Sequence, residues 1–177
     1  MAKSGLAKGL QRMFTPSFVV TAYYLLKYGA KVSFRAEVDL SEKLRFGKGC
    51  VVSSYTKIKA LDGPVIFGDR AGVAIGCFIA AGEAGITIGD NFICGANVNI
   101  VATNYRHSEL DKHLEDQGST SKGITIGNNV WIGSGCTITD GAVIGDNVIV
   151  AANSLVSRRY KSNLILQGNP AKTLLKR

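Results

Sequence analysis

The sequence has little proline, few histidines and no long hydrophobic run. Three prolines beside 21 glycines in 177 residues favour regular tight turns over long helices. The longest apolar run, residues 18–26, is too short to span a bilayer. Residues 1–12 do not lead into a cleavable signal peptide. These absences predict a cytoplasmic protein of one domain, or of one domain with an appendage.

Neither the cysteines nor the histidines form a metal-binding pattern. The four cysteines lie far apart with no CxxC pair, which argues against a zinc site or a redox motif. A three-histidine zinc site is excluded because only His107 and His113 exist. We therefore expect no metal.

The net charge of +8 favours anionic partners. The basic residues gather in the first 35 residues and again from Arg158 to Arg177, while the middle of the chain is nearly neutral. Two basic ends are not a continuous basic face with aromatic platforms, so nucleic-acid binding is not expected.

A repeat of six residues organises most of the chain. Its unit is an aliphatic anchor, a small residue, two turn-forming residues, a small or medium residue and then any residue. The pattern predicts that each anchor points inward from a short strand, and that the cysteines, in anchor or fourth positions, point inward too. The predicted anchors are Phe34, Leu40, Phe46, Val52, Ile58, Phe67, Val73, Ile79, Ile88, Cys94, Ile100, Ile126, Ile132, Ile138, Ile144, Val150 and Val156.

The repeat is interrupted at three places. The steps from Ile58 to Phe67 and from Ile79 to Ile88 are each nine residues long. The step from Ile100 to Ile126 is twenty-six residues long, which is twenty more than the repeat. A fixed period of six argues against an antiparallel sandwich, whose strands recur every 8–12 residues. The sequence predicts an all-β parallel β-helix of nearly six coils over residues 34–160, with an inserted loop at 104–123.

The two ends lie outside the repeat. Residues 14–28 predict a helix within an N-terminal segment, 1–33, which either caps the open end of the solenoid or rests on a membrane surface. Residues 161–177 are expected to form a basic tail.

The segment ITIGNNVWIGSGCTI at 124–138 and the tail QGNPAK at 167–172 resemble the hexapeptide-repeat sugar acetyltransferases. These are similar to galactoside and maltose acetyltransferases and to O-acetyltransferases of surface polysaccharides. The resemblance implies a left-handed coil, a homotrimer with sites between subunits, and acetyl-CoA as donor to a sugar hydroxyl. Alternatives are an N-acetyltransferase on an amino sugar, a xenobiotic acetyltransferase and a non-catalytic assembly module.

The inserted loop is where catalysis is expected, because long loops in compact domains are usually functional or disordered. It contains both histidines, and a histidine suits the general base that takes the proton of an attacking hydroxyl. The resemblance favours His107, with Glu109 to orient it, whereas His113 lies in a charged, solvated stretch. Many relatives carry His-x-His at the loop start, but Tyr105 occupies the first place here. Asn99, Asn104 and Tyr105 are candidates to bind the acceptor.

The resemblance also implies where coenzyme A lies, along the later coils in the groove between two subunits. The matching residues are Ser134, Ala152, Ser157, Arg158 and Lys172. Backbone amides of the small residues would bond the pantetheine arm, and the basic side chains would meet phosphate. Trp131, in the outward position before an anchor, is expected to pack against a neighbouring subunit.

Overall fold

The computed structural model describes residues 15–177, which form a parallel β-helix with three sides. Side A contains β1 (Lys31–Val32), β4 (Val51–Val52), β7 (Gly72–Val73), β10 (Ile93–Cys94), β15 (Trp131–Ile132), β18 (Ile149–Val150) and β21 (Leu164–Gln167). Side B contains β2 (Glu37–Val38), β5 (Lys57–Lys59), β8 (Phe78–Ala81), β11 (Asn99–Ala102), β16 (Thr137–Thr139) and β19 (Leu155–Val156). Side C contains β3 (Leu44–Arg45), β6 (Val65–Phe67), β9 (Ile86–Ile88), β14 (Ile124–Ile126), β17 (Val143–Ile144) and β20 (Arg159–Tyr160).

The repeat anchors form the core, as predicted, from Phe46 to Val156. Every predicted anchor in that span is buried, and so are all four cysteines. Each anchor lies opposite the equivalent anchor of the next coil; Ile58, for example, pairs with Ile79 and Ile79 with Ile100. The core is therefore a set of aligned apolar columns, and each coil buries its side chains against its neighbours.

The predicted register is wrong in the first coil. Phe34 is 62% exposed and Leu40 is only half-buried, while Val32 and Val38 fill the core. The step from Val38 on side B to Phe46 on side C is eight residues. Counting back from Phe46 in sixes therefore misplaces both earlier anchors by two positions.

Every irregular step in the coil falls at the same corner, between side B and side C. The step there is eight residues at Val38–Phe46, nine at Ile58–Phe67 and Ile79–Ile88, and twenty-six at Ile100–Ile126. The corner between sides C and A keeps the six-residue step throughout. One edge of the solenoid therefore accommodates all the variation in length.

The corner between sides C and A is held by side chains that bond the coil before them. The amide of Asp69 donates to Oδ1 of Asp90 at 2.8 Å, that of Asp90 to Asn128 at 2.9 Å, and that of Asn128 to Asp146. The next residue at these corners, Asn91, Asn129 or Asn147, has a left-handed backbone with φ of 53–57°. Asparagine tolerates that conformation, as the sequence pattern predicted.

One helix, α1 (Ser17–Tyr28), covers the beginning of the solenoid. The predicted helix began at Phe14, which lies outside the described residues, but Thr15 and Pro16 are not helical, so the helix starts later than predicted. Its Tyr24 is fully buried, stands edge-on to Phe46 at 5.2 Å, and donates a 2.6 Å hydrogen bond to the carbonyl of Asp39. Phe46 stacks in turn on Phe67 at 5.1 Å. The helix thus plugs the first coil with aromatic side chains.

The solenoid extends beyond both predicted limits of 34 and 160. It begins at β1, and β21 continues side A in parallel with β18. Residues 161–177 are therefore no simple tail, since β22 (Lys172–Lys176) turns back antiparallel to β21 after the cis Asn169–Pro170 bond. The step from Val156 on side B to Tyr160 on side C is only four residues, which hides this last coil from a six-residue count.

Because the coils stack closely, replacing glycine by alanine is expected to lower the free energy of unfolding at some positions of the coil and not at others. A Cβ on Gly127 would lie 2.8 Å from the backbone nitrogen of Asp146, whereas one on Gly72 would meet nothing nearer than 3.9 Å. We expect Gly127→Ala to lower the free energy of unfolding by about 1–3 kcal/mol. The matched control Gly72→Ala should change it by less than about 0.5 kcal/mol. Chemical denaturation of both variants measures this, and equal losses would contradict the close approach.

Candidate active site

The inserted loop leaves the solenoid at the corner between sides B and C and forms a hairpin. Its strands are β12 (Asn104–Tyr105) and β13 (Ser119–Thr120), paired antiparallel, with a 3-10 helix at Leu114–Gln117 between them. Gln117 is the buried residue of the loop. Its side-chain amide donates to the carbonyls of Glu109 and Lys112 and accepts from the amide of Glu109 at 3.0 Å. The loop is thus folded on itself.

Asp140 fixes both ends of this loop to the next coil. Its carboxylate is 9% exposed and accepts hydrogen bonds from the backbone amides of Lys122 at 2.8 Å and Gly123 at 2.9 Å. It also accepts a longer bond, 3.4 Å, from the side-chain amide of Asn104 at the loop start. A single carboxylate therefore sets the position of the hairpin's base.

An open cavity of about 440 Å³ lies at the base of the hairpin. Its volume is within the range typical of small-molecule sites. His107 contributes to the wall beside two cations, Arg106 and Lys122, and the remaining lining residues are Asn104, Tyr105, Ser108 and Thr120. The imidazole is exposed, and its Nδ1 lies 3.4 Å from the carbonyl oxygen of Tyr105. The cavity thus combines one imidazole with a positive wall.

Two other predicted site residues are not part of this wall. The Glu109 carboxylate forms an ion pair with Lys112, and the group next to the His107 ring is the Tyr105 carbonyl. Asn99 lies on the outer surface of side B, between Phe78 and Thr137 on the adjacent coils. The predicted acceptor residues Asn104 and Tyr105 do line the cavity.

The residues predicted to bind coenzyme A occupy two edges of the solenoid. Ser134 and Ala152 lie at the corner between sides A and B, where a Cβ on Gly133 would approach Ala152 N to 2.5 Å. Ser157 and Arg158 lie at the corner between sides B and C, where the Arg158 carbonyl accepts from the amide of Val143. That is the edge from which the loop emerges. Lys172 is exposed at the start of β22.

The cysteines are remote from this chemistry. Cys77 and Cys94 lie inside the coil with their sulfur atoms 3.8 Å apart. Their shared hydrogen bond lowers the pKa of the Cys77 thiol, whereas that bond and burial raise the pKa of Cys94. Burial likewise raises the pKa of Cys50 and Cys136. Since all four are enclosed by the core, they act as small apolar side chains.

Residues 15–177 lack two features that mark other classes of protein. No three histidine, cysteine, aspartate or glutamate side chains gather there as metal ligands. The helix in this range falls short of the length and apolar character needed to cross a bilayer.

Residues 123–158 match the family model described as "bacterial transferase hexapeptide (six repeats)". By sequence, no curated protein matches the chain. The matched segment covers the coils directly after the inserted loop. The hexapeptide repeat of the bacterial transferases is therefore present, and the resemblance predicted from residues 124–138 is confirmed.

Solved structures of three acyltransferases superpose on this chain. AntD, an N-acyltransferase from Bacillus cereus solved with dTDP and coenzyme A, superposes with a TM-score of 0.76 at 18% identity over 88% of each chain. A hexapeptide-repeat acetyltransferase from Vibrio cholerae O1 biovar eltor, solved with acetyl coenzyme A, gives 0.64 at 19% identity over 99% of this chain and 91% of its own. GDP-perosamine N-acetyltransferase from Caulobacter crescentus, solved with CoA and GDP-perosamine, superposes with a TM-score of 0.63 at 20% identity, over 83% of this chain and 57% of its own. The chain has their fold, a left-handed parallel β-helix, as predicted.

Three residues of the site could not be assigned a role from the sequence. Arg106 and Lys122 stand in the inserted loop, which gave them a location but no function. Asp140 occupies a corner position in a later coil, 36 residues from Asn104, and only the stacking of coils brings the two together.

The role of Asp140 can be tested by removing its carboxylate. Asp140→Ala leaves the partly buried amides of Lys122 and Gly123 without their acceptor, which costs about 1 kcal/mol of stability. Hydrogen exchange at these amides should quicken, and limited proteolysis should cut the loop sooner. Asp111→Ala, at an exposed position of the same loop, is the control. Unchanged exchange in Asp140→Ala would rule out the proposed anchoring.

Proposed function

We propose that this chain is an acetyl-CoA-dependent acetyltransferase acting on a sugar, with His107 as general base. The observation that carries the proposal is the position of this imidazole, in a cation-lined cavity at the corner of a hexapeptide-repeat solenoid. The similar solved structures named above include complexes with coenzyme A or acetyl coenzyme A, which supports the donor.

The reaction requires only one proton carrier. The acceptor oxygen attacks the thioester carbonyl carbon while its proton passes to Nε2 of His107, so that a C–O bond forms. The C–S bond then breaks, and the departing thiolate of coenzyme A takes the proton from the imidazolium. No covalent enzyme intermediate is needed, and none of the four buried cysteines takes part.

The backbone favours the imidazole tautomer that this step needs. A carbonyl oxygen can only accept, so Nδ1 of His107 donates to the Tyr105 carbonyl and Nε2 keeps the free electron pair. In this proposal the Tyr105 carbonyl replaces Glu109 as the group that orients the ring. Glu109 acts indirectly, through its ion pair with Lys112 in the same loop.

Charge and position support the predicted coenzyme A residues. Arg106, Lys122 and Arg158 lie along one edge of the solenoid, where they suit a ligand rich in phosphate. Ser134 and Ala152 lie along another edge, so in a trimer one subunit would supply the histidine loop and its neighbour the exposed corner amides. Lys172 is a further candidate for phosphate.

The acceptor group has two candidates. A sugar hydroxyl, as in surface polysaccharide or glycoconjugate biosynthesis, follows from the resemblance in residues 124–138 and depends on a base such as His107. An amino group on a sugar is the second candidate, because two of the similar structures are N-acyltransferases, one of them solved with GDP-perosamine. Asn104 and Tyr105 are the acceptor-binding candidates in the cavity wall, with Asn99 on the adjoining side B.

Trimerisation is proposed through side A, whose outer surface is the most apolar of the three. Its outward positions begin with Lys31 at the first coil and continue with Val51, Gly72, Ile93, Trp131, Ile149 and Ile165, each opposite the next on consecutive coils. Side C presents Arg45, Ile66, Thr87, Thr125, Val143 and Arg159 instead. A continuous apolar row with an exposed tryptophan is typical of an interface.

Replacing the proposed base should abolish transfer without unfolding the protein. We expect His107→Ala to lower kcat with acetyl-CoA by about 10²–10⁴-fold. His113→Ala is the matched control, since His113 lies in the same loop and outside the cavity wall. A panel of sugars with free hydroxyl or free amino groups, followed by mass spectrometry of the product, identifies the acceptor. Full activity of His107→Ala would contradict this mechanism, and transfer to amino groups alone would favour the second candidate.

The proposed subunit interface can be tested with two isoleucines at equivalent outward positions. Ile93 on side A is 56% exposed and Ile66 on side C is 36% exposed. We expect Ile93→Ser to raise the dissociation constant of the trimer by more than about tenfold, because a side chain central to the interface becomes polar. Ile66→Ser should leave it unchanged. Light scattering across a dilution series measures both, and a monomeric wild type would refute the proposal.

A further inference from the structure

Helix α1 exposes an apolar ridge that faces away from the solenoid. Phe18, Ala22, Leu25 and Leu26 lie within an arc of about 100° on the helix. All four are exposed, and Leu26 is exposed by 86%. Val20 and Tyr24, on the opposite side, are the buried residues of the helix. The ridge is therefore not needed to attach the helix to the first coil.

The stretch of sequence that contains this ridge carries charge of one sign. None of the first 36 residues is acidic, whereas six are lysine or arginine. The helix has no acidic residue in its first turn and carries Lys27 in its last, and Lys31 and Arg35 follow directly. An exposed apolar ridge within a stretch of sequence whose charges are all basic is typical of helices that lie in the interface of an anionic bilayer.

We propose that residues 17–35 dock the protein on a membrane surface containing anionic lipid. In this arrangement Phe18, Leu25 and Leu26 enter the boundary between headgroups and acyl chains, while Lys31 and Arg35 approach lipid phosphates. The helix lies parallel to the membrane, consistent with its 12 residues being too few to cross it. Charge complementarity is what selects a membrane over a second copy of this chain, because two copies would bring together two positively charged surfaces.

The geometry also decides how the solenoid would sit. Tyr24 ties the helix rigidly to the interior of the first coil through Phe46, so the attached coils are oriented with the helix. The inserted loop emerges from the fourth coil, between β11 and β14. Docking would therefore leave the His107 cavity open to substrate, away from the bilayer surface.

The test is co-sedimentation of the full chain with phosphatidylcholine vesicles, with and without phosphatidylserine. We expect binding only to the anionic vesicles, weakened as salt is raised. Leu25→Ser/Leu26→Ser should reduce the partition coefficient by about tenfold or more, since two exposed leucines no longer enter the bilayer. The matched control is Leu174→Ser/Leu175→Ser, a second exposed leucine pair, on β22, where binding should stay at the wild-type level.

Three results would overturn the proposal. They are the absence of binding by the wild type, equal binding to vesicles of both compositions, and wild-type binding by Leu25→Ser/Leu26→Ser. Circular dichroism and light scattering of the same variants provide the remaining check. If the serine pair at 25 and 26 changes the oligomeric state, the ridge is a contact between copies and not a membrane surface.

Discussion

The structure depends on each coil lying in register on the coil before it. At the corner between sides C and A, the amides of Asp69, Asp90 and Asn128 each donate to the aspartate or asparagine one coil further on. The small residue before each of them leaves no room for a side chain, since a Cβ on Gly127 would meet the backbone of the following coil. A residue inserted at this corner would break both contacts. This corner therefore keeps the same length in every coil.

All the variation in length falls at the corner between sides B and C, and the candidate site lies there. The steps at this corner vary from four residues to twenty-six while the strands on either side stay aligned. A loop leaving here begins and ends on rigid rungs, and Asp140 fixes its two ends from the coil beyond. The mobility of the inserted loop is thus reduced without altering the core.

The core and the location of the site could be predicted because both leave a periodic trace in the sequence. The anchors from Phe46 to Val156 recur in sixes, and His107 lies in the longest interruption. The prediction for Phe34 was wrong because the step from Val38 to Phe46 is two residues longer than the repeat. Counting back from Phe46 in sixes therefore reaches Phe34 instead of Val32. Asp140 left no trace, since its partners are fixed by coil stacking. Glu109 was placed beside His107 by proximity in sequence, whereas an ion pair with Lys112 holds its carboxylate.

The two ends of the solenoid determine how it can associate. Parallel strands at an open end expose unpaired backbone groups that would join a second copy end to end. At the start, Tyr24 fills the first coil and bonds the Asp39 carbonyl. At the finish, β22 pairs with β21, and the amide of Ala171 donates to the carbonyl of Leu155 on the last strand of side B. With both ends covered, association is directed sideways. In the proposed trimer, the apolar row of side A would form the contact between subunits, and that contact would place each site between two subunits.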